Sequence, residues 1–433
     1  MLGKILNTFG TKVLSGVINL VIAIILSQYL GPAGKGIQSL IITTITFVLV
    51  FANLVGGATL VYLIPRHSPS LLILPSYIWT LLIGVVSYCV LLIFPIVETR
   101  FILHICILSC LNSIVSINTT ILVGKEKIST SNLINLIQPV ILIISLLLFF
   151  ALKDQPGILD YIYSLYFSFG FSMLVSFAYY YKYCGRVSLY PLQEYRKIVA
   201  EMIVFGVLNQ VANITQMLSF RLSYYVLDHF HGAAAVGVYS NGISLAESIW
   251  LIAKSISLVQ YARIANIDNR TEAATLTIKL IKFSLVASLI VLIPLLLLPS
   301  SFYVFIFGRG FSATPLVIRT LAFGVLVYNF SILTGHYFSG TGRYYINAIA
   351  SSIGLVASIV LYFSLIPKFS MAGAGWATSL SYLITTIILM TLFNRENKNW
   401  YKDLIPSRND LVQIKSEFFS VFPVHHNSHN RSQ

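Results

Sequence analysis

Charge is scarce in this sequence. Only 10% of its 433 residues are Asp, Glu, Lys or Arg, whereas a soluble domain carries about 25%. A water-exposed surface cannot be assembled from such a chain. Cysteine is nearly missing too: Cys89, Cys106, Cys110 and Cys184 are the only four, all in apolar surroundings. Cys106 and Cys110 have His104 nearby, but no fourth ligand lies within reach by sequence, so a metal centre is not expected. The tail "HHNSH" (His425, His426, His429) reads as solvated. Catalytic signatures are missing as well. "GHYFSGTGR" spaces its glycines but lacks the Gly-Lys-Ser/Thr ending of a phosphate loop, and neither GxSxG nor HExxH occurs, which excludes the ATPase, hydrolase and zincin readings that those motifs carry.

What the chain has instead is hydrocarbon. Hydrophobic residues make up 57% of it, and its mean hydropathy is +0.84. Apolar runs of about 20 residues, long enough to cross roughly 30 Å of lipid as helices, recur from end to end. They predict an all-α polytopic membrane protein with twelve spans, at about 10–30, 37–64, 71–97, 101–123, 130–152, 159–183, 202–228, 235–262, 276–298, 315–338, 344–366 and 371–393. The polar stretch Met1–Phe9 is too short for a cleaved signal peptide, so the first span is expected to stay as an anchor. Pro75, Pro139 and Pro294 fall inside spans and fit bent helices.

The formal charge of +14 has a sidedness that explains it without nucleic acid. With the N-terminus in the cytosol, 20 of the 28 Lys and Arg residues fall on the cytosolic loops and tails, six on the opposite face and two within spans. That bias predicts cytosolic N- and C-termini.

A short motif occurs twice. "GPAGKGIQS" (31–39) and "GAAAVGVYS" (232–240) share Gly31/Gly232, Gly36/Gly237 and Ser39/Ser240, and each stands on the outer side between an odd-numbered span and the next. A third echo, "SMAGAGWAT" (370–378), precedes the twelfth span. Same-orientation repeats imply a six-span unit used twice about an axis along the membrane normal. The expected division is an N-terminal bundle at 1–183, a cytosolic linker at 184–201 holding a short interfacial helix, a C-terminal bundle at 202–393 and a cytosolic tail at 394–433. A surface helix near Asp410–Phe419 is expected in that tail.

Ionisable groups at membrane depth are functional hypotheses by default. They cluster in the second half: Arg221 and Asp228 in the seventh span, Glu247 and Lys254 in the eighth. Each pair is seven residues apart, hence two turns along one face. Arg221 and Glu247 stand at depths that let antiparallel neighbours meet. One reading is a structural salt bridge between the two spans. The other is a cationic site in a central cavity, with Asp228 and Glu247 binding a coupling proton or sodium ion. Lys12 and Arg343 extend the basic lining from the cytosolic side.

The segments "SQYLGPAGKGIQSL", "YYVLDHFHGAAAVGVYS" and "FSGTGRYYINAIASSIGLVASIVLYFSLIPKFSMAGAGWATS" together resemble the polysaccharide-biosynthesis flippases of the multidrug/oligosaccharidyl-lipid/polysaccharide exporter superfamily. The resemblance implies a MATE-like, V-shaped pair of six-helix bundles that alternates access across the bacterial inner membrane. Its implied substrate is an undecaprenyl-diphosphate-linked oligosaccharide for O-antigen, capsule or exopolysaccharide synthesis, and polysaccharide polymerase and assembly proteins are the implied partners beside membrane lipids. Arg221, Lys254, Lys12 and Arg343 would meet the diphosphate, because an anion in a low-dielectric passage needs cations. The N-terminal half departs from an evenly lined lumen, being poor in mid-membrane charge, and Asn19, Gln28 and Asn53 stand there as sugar contacts. Two other readings stay open. An ion-coupled exporter of small molecules on the same architecture would favour an acidic, apolar cavity. A membrane polymerase would need an extended outer loop, and every predicted outer loop is short.

Overall fold

The computed structural model describes residues 2–395 apart from 265, 266 and 268. The expected tail helix and the "HHNSH" cluster lie outside the described residues. Among those described there is no strand, and the chain is a succession of helices.

Three of these helices are far too long for one crossing. α1 runs Leu2–Gly56, α7 Leu192–Ser248 and α12 Tyr344–Asn394. At 1.5 Å per residue a straight α1 would reach about 80 Å, well over twice the hydrocarbon thickness. Each instead folds back at a single residue. The hinge is Gly31 (φ 64°, ψ −175°) in α1, Gly232 (φ 77°, ψ 170°) in α7 and Ser370 (φ 51°, ψ −130°) in α12. Contacts across each hinge fix the reversal. Ser358 lies 2.5 Å from Ser381 and Tyr362 3.2 Å from Thr378, while the Tyr224 and Tyr239 rings face each other at 5.8 Å. In α1, Ser27 and Ser39 stand on opposite sides of the hinge yet bond the adjacent residues Asn241 and Ser240.

The remaining spans are α3 (Pro69–Ile93), α4 (Thr99–Gly124), α5 (Ile128–Ala151), α6 (Ile158–Cys184), α9 (Arg270–Leu297) and α11 (Thr314–Gly340), with α2 (Ala58–Leu63), α8 (Trp250–Ile264) and α10 (Ser300–Phe307) as shorter pieces. Eight stretches are apolar and long enough to cross, and the pair Leu192–Val207 and Gln210–Ser248, bent by 46°, makes nine. Three of the nine reverse midway and so cross twice, which gives twelve crossings. The apolar pattern located all twelve, but it placed loops where the structure has single-residue hinges. It also treated Lys35 as an outer-loop charge, whereas Lys35 is a buried residue of the second arm of α1. Pro75, Pro139 and Pro294 all lie inside helices.

The repeated motif is where the two halves touch. At Gly36 the carbonyl of Ala233 leaves no room for a Cβ, and at Gly237 the carbonyl of Pro32 does the same. Pro32 and Ala233 are themselves equivalent positions of the repeat, so the contact is reciprocal, the signature of a two-fold relation. Ser39 donates to its own counterpart Ser240 at 2.9 Å, 201 residues away. That bond therefore lies on the local axis. α10 and the turn Arg309–Phe311 close over the same end, where Gly310 abuts Pro32 and Gln28 donates to the Ile306 carbonyl at 2.7 Å. A buried core that includes Leu26, Ile105, Tyr161, Val236, Trp250 and Tyr362 runs through both halves.

Candidate substrate site

The hinge at Gly232 brings the two arms of α7 side by side, and the first consequence is an ion pair. Arg221 reaches Glu247 through two hydrogen bonds of 2.7 and 3.2 Å. Tyr382 donates a third to the same carboxylate at 2.9 Å. The forked guanidinium geometry matches a carboxylate two-for-two. Neither side chain is sealed, since Arg221 keeps 28% of its surface exposed and Glu247 11%.

Beneath the pair stands a box of aromatic rings. Trp250 is 4.8 Å from Tyr328 and 5.3 Å from Tyr382, and Phe220 is 5.4 Å from Tyr328. Trp250 donates to the Val325 carbonyl at 2.9 Å and Gln216 to the Tyr328 hydroxyl at 2.8 Å, so the buried polar atoms of the box have partners. Such tilted contacts in apolar surroundings hold a rigid floor.

Lys254 lies one turn beyond Trp250, exposed, with its ammonium 5.6 Å from the indole ring centre. It is within electrostatic range of Glu247, Arg221 and Lys12. Lys12, also exposed, comes from the first arm of α1 on the other half of the molecule. Neither lysine forms an ion pair among the described residues. Lys254 thus has two further cations, Arg221 and Lys12, and one carboxylate within range, and that carboxylate is already bonded to Arg221. The place has a net positive charge and two cations free to take an anion.

The repeat sharpens this. Lys254 is equivalent to Asn53 and Lys12 to Asn213 by the same offset of 201 residues. One seam between the halves, first arm of α1 against α8, therefore carries two lysines where the other, second arm of α1 against α7, carries two asparagines. The asparagine seam is stitched shut. Asn213 donates to Gln210 at 2.6 Å, Gln210 to the Val50 carbonyl at 3.2 Å, and Thr44 bonds Tyr225 at 2.8 Å. Gly206 leaves no space for a Cβ against the Leu54 carbonyl. On the lysine seam a Cβ added at Gly16 would meet only the Leu251 side chain, at 4.0 Å.

The other expected residues fall elsewhere. Asp228 sits one turn before the Gly232 hinge, near Glu98 and outside the cluster. Arg343 bonds the Thr341 hydroxyl at 3.0 Å and lies over the Phe338 ring, in the turn after α11. Gln28 is committed to Ile306, as above, and Asn19 is exposed with no hydrogen bond among the described residues. Asn53 accepts from Ser116 at 3.2 Å and so faces α4. One residue of the contact region escaped sequence reasoning. Lys35 is buried and bonds only neutral groups, the Gln38 amide at 2.5 Å and the Ser39 hydroxyl at 3.4 Å. The signal was present, because Lys35 faces Val236 in the repeat, but a lysine near a span end reads as solvated.

This architecture is a multi-pass membrane fold of the MATE-like class. Known structures agree: an inward-facing multidrug transporter of the MATE family matches with TM-score 0.73, 15% identity and coverage of 90% of this chain and 96% of that one. The lipid II flippase MurJ in an inward closed conformation matches at 0.72, with 14% identity over 97% of both chains. An outward-facing MATE structure gives 0.62 at 15% identity, covering 92% of this chain and 96% of that one. The chain belongs to the family described as polysaccharide biosynthesis protein, which matches residues 2–267. A relative in Staphylococcus aureus, the capsular polysaccharide biosynthesis protein CapF, is 25% identical over 173 residues. That match spans 39% of this chain and 44% of CapF.

Proposed function

We propose that the protein is a flippase that carries undecaprenyl-diphosphate-linked oligosaccharide from the cytoplasmic to the outer leaflet of a bacterial inner membrane, for O-antigen, capsule or exopolysaccharide synthesis. The observation that carries this reading is the pair of lysines without carboxylate partners among the described residues, Lys12 and Lys254, which come from the two halves and lie within electrostatic range of each other, Lys254 also within range of Arg221. In low dielectric, neighbouring like charges repel strongly and an anion between them is correspondingly stabilised. A lipid diphosphate supplies that anion, while its prenyl chain stays in the hydrocarbon beside the loosely closed seam.

The remaining steps of this reading use the fold. The reciprocal contact around Ser39 and Ser240 closes the outer end while the diphosphate is loaded from the cytosolic side. Parting of that contact releases the sugar outward. Glu247 is held by Arg221 and Tyr382, which leaves Asp228 as the carboxylate for a coupling proton or sodium ion. A small-molecule exporter using an acidic cavity fits this site less well, because the accessible charge is positive.

The test is translocation of the lipid-linked oligosaccharide in proteoliposomes. The double variant Lys12→Met/Lys254→Met is expected to lose at least about tenfold in rate, a change of about 1.4 kcal/mol, at unchanged insertion. A wild-type rate in that variant overturns the diphosphate site.

A further inference from the structure

The N-terminal half holds a cavity of about 350 Å³ between the second arm of α1, α4 and α5. Its volume lies at the lower end of the ~300–1,000 Å³ typical of small-molecule pockets, enough for a sugar ring or two. Leu49 forms part of the apolar wall, and the polar wall is built from Asn112, Ser116, Thr119, Thr120, Asn135 and Gln138. No ionisable side chain lines it. By the repeat, the wall residue Leu49 stands where the other half has Trp250 of the aromatic box.

The hydrogen bonds of this wall do not close on themselves. Gln138 donates to Asn112 at 3.1 Å, which leaves the Asn112 amide hydrogens free. Ser116 donates to Asn53, and Thr119 donates to the carbonyls of Val115 and Ser116. The side chains of Thr120, Asn135 and the buried Ser131 beside them bond nothing among the described residues. The wall thus offers unused donors and acceptors and no charge. A diphosphate would lose its hydration here and gain no cation. A wholly apolar ligand would leave the amides unsatisfied. A polyol, each of whose hydroxyls donates one bond and accepts two, matches the inventory.

Position connects the cavity to the lysines. Asn132, one turn from Asn135, donates to Asn7 and Thr8 at 3.0 and 2.8 Å, on the same arm of α1 that carries Lys12. Asn53, the repeat counterpart of Lys254, touches the cavity through Ser116. We infer that this cavity is a subsite for the neutral sugar rings of the transported lipid, so that the N-terminal half holds sugar while Lys12 and Lys254 hold diphosphate. The inference rests on the flippase reading.

The experiment uses the full chain in proteoliposomes with two probes, undecaprenyl diphosphate bearing the oligosaccharide and undecaprenyl diphosphate bearing none. The variant Asn135→Leu/Thr120→Val is expected to slow the first probe about tenfold below saturation and to leave the second unchanged. Equal slowing of both, or of neither, overturns the subsite. Lys12→Met/Lys254→Met is expected to slow both probes, and its failure to do so counts against the diphosphate site alone. A second measurement needs no transport. In a Ser116→Cys protein, the oligosaccharide released from the lipid by mild acid is expected to retard maleimide labelling at least threefold, and inorganic diphosphate to have no effect. Absence of protection by the sugar overturns the subsite even if both lipids cross.

Discussion

The two halves share one architecture and differ in what they put at equivalent positions. The N-terminal half has Leu49 beside an open, uncharged, hydrogen-bonding cavity, whereas the C-terminal half has Trp250 in a filled aromatic box under an ion pair. Thr46 stands where the other half has Glu247, Asn53 where it has Lys254, and Lys35 where it has Val236. Backbone geometry is conserved between the halves while side-chain chemistry is not. On the proposed reading, repetition provides two matched bodies, and their divergence suits a substrate with two chemically different ends.

The comparison breaks most severely at Glu247. Glu247→Ala leaves Arg221 in a half-buried site without its partner, a loss expected to cost about 3–5 kcal/mol. Arg221→Met/Glu247→Leu is expected to recover most of that stability, as replacing a buried pair by apolar groups often does. Thermal unfolding in detergent measures both, and a double variant no more stable than the single one contradicts the pairing.

Next comes the reciprocal contact. Gly36→Val forces a side chain against the Ala233 carbonyl, for an expected cost of about 1–3 kcal/mol. The ends joined at the Ser39–Ser240 contact should then part. Cross-linking of Ser39→Cys to Ser240→Cys is expected to be efficient without the valine and weak with it, and equal yields would show that this contact does not set the closed state.

A smaller effect tests the asymmetry of the seams. Lys254→Asn, which makes the position match Asn53, is expected to reduce translocation by about tenfold, or about 1.4 kcal/mol. Adding Asn53→Lys should not restore it, because position 53 faces α4 and lies away from the lysine seam. Restoration would mean that either seam serves. The smallest effect is at the hinge that breaks the glycine rule. Ser370 holds a positive φ of 51° that side chains resist, so Ser370→Gly is expected to stabilise by about 1 kcal/mol. A lowered midpoint in the unfolding measurement would contradict strain at that hinge.

Much of this was legible beforehand, and the exceptions have physical causes. Hydrophobic runs revealed the crossings because lipid forces every span to be apolar. The meeting of Arg221 with Glu247 followed from counting residues to each helix end. The hinges were not legible, since hydropathy falls at a reversal whether the helix stops or merely kinks. The cavity escaped because Asn, Ser and Thr inside spans serve equally as glue between helices, as Asn118 does toward Ser176, and composition cannot separate the two uses. Asp228 was grouped with the cluster by its seven-residue spacing from Arg221, and Arg343 by its place on the cytosolic side after the tenth span. Neither criterion says which neighbouring helix a side chain meets: Asp228 lies near Glu98, and Arg343 folds back on Thr341 in its own turn.

The patch around Ser39 and Ser240 has one more consequence. A surface complementary to its own copy is what a two-fold dimer requires. A free-standing six-helix ancestor bearing this glycine-and-serine patch would already have possessed a homodimer interface, with no new contact to invent. In a single chain that partnership is covalent, which leaves each copy at liberty to diverge alone.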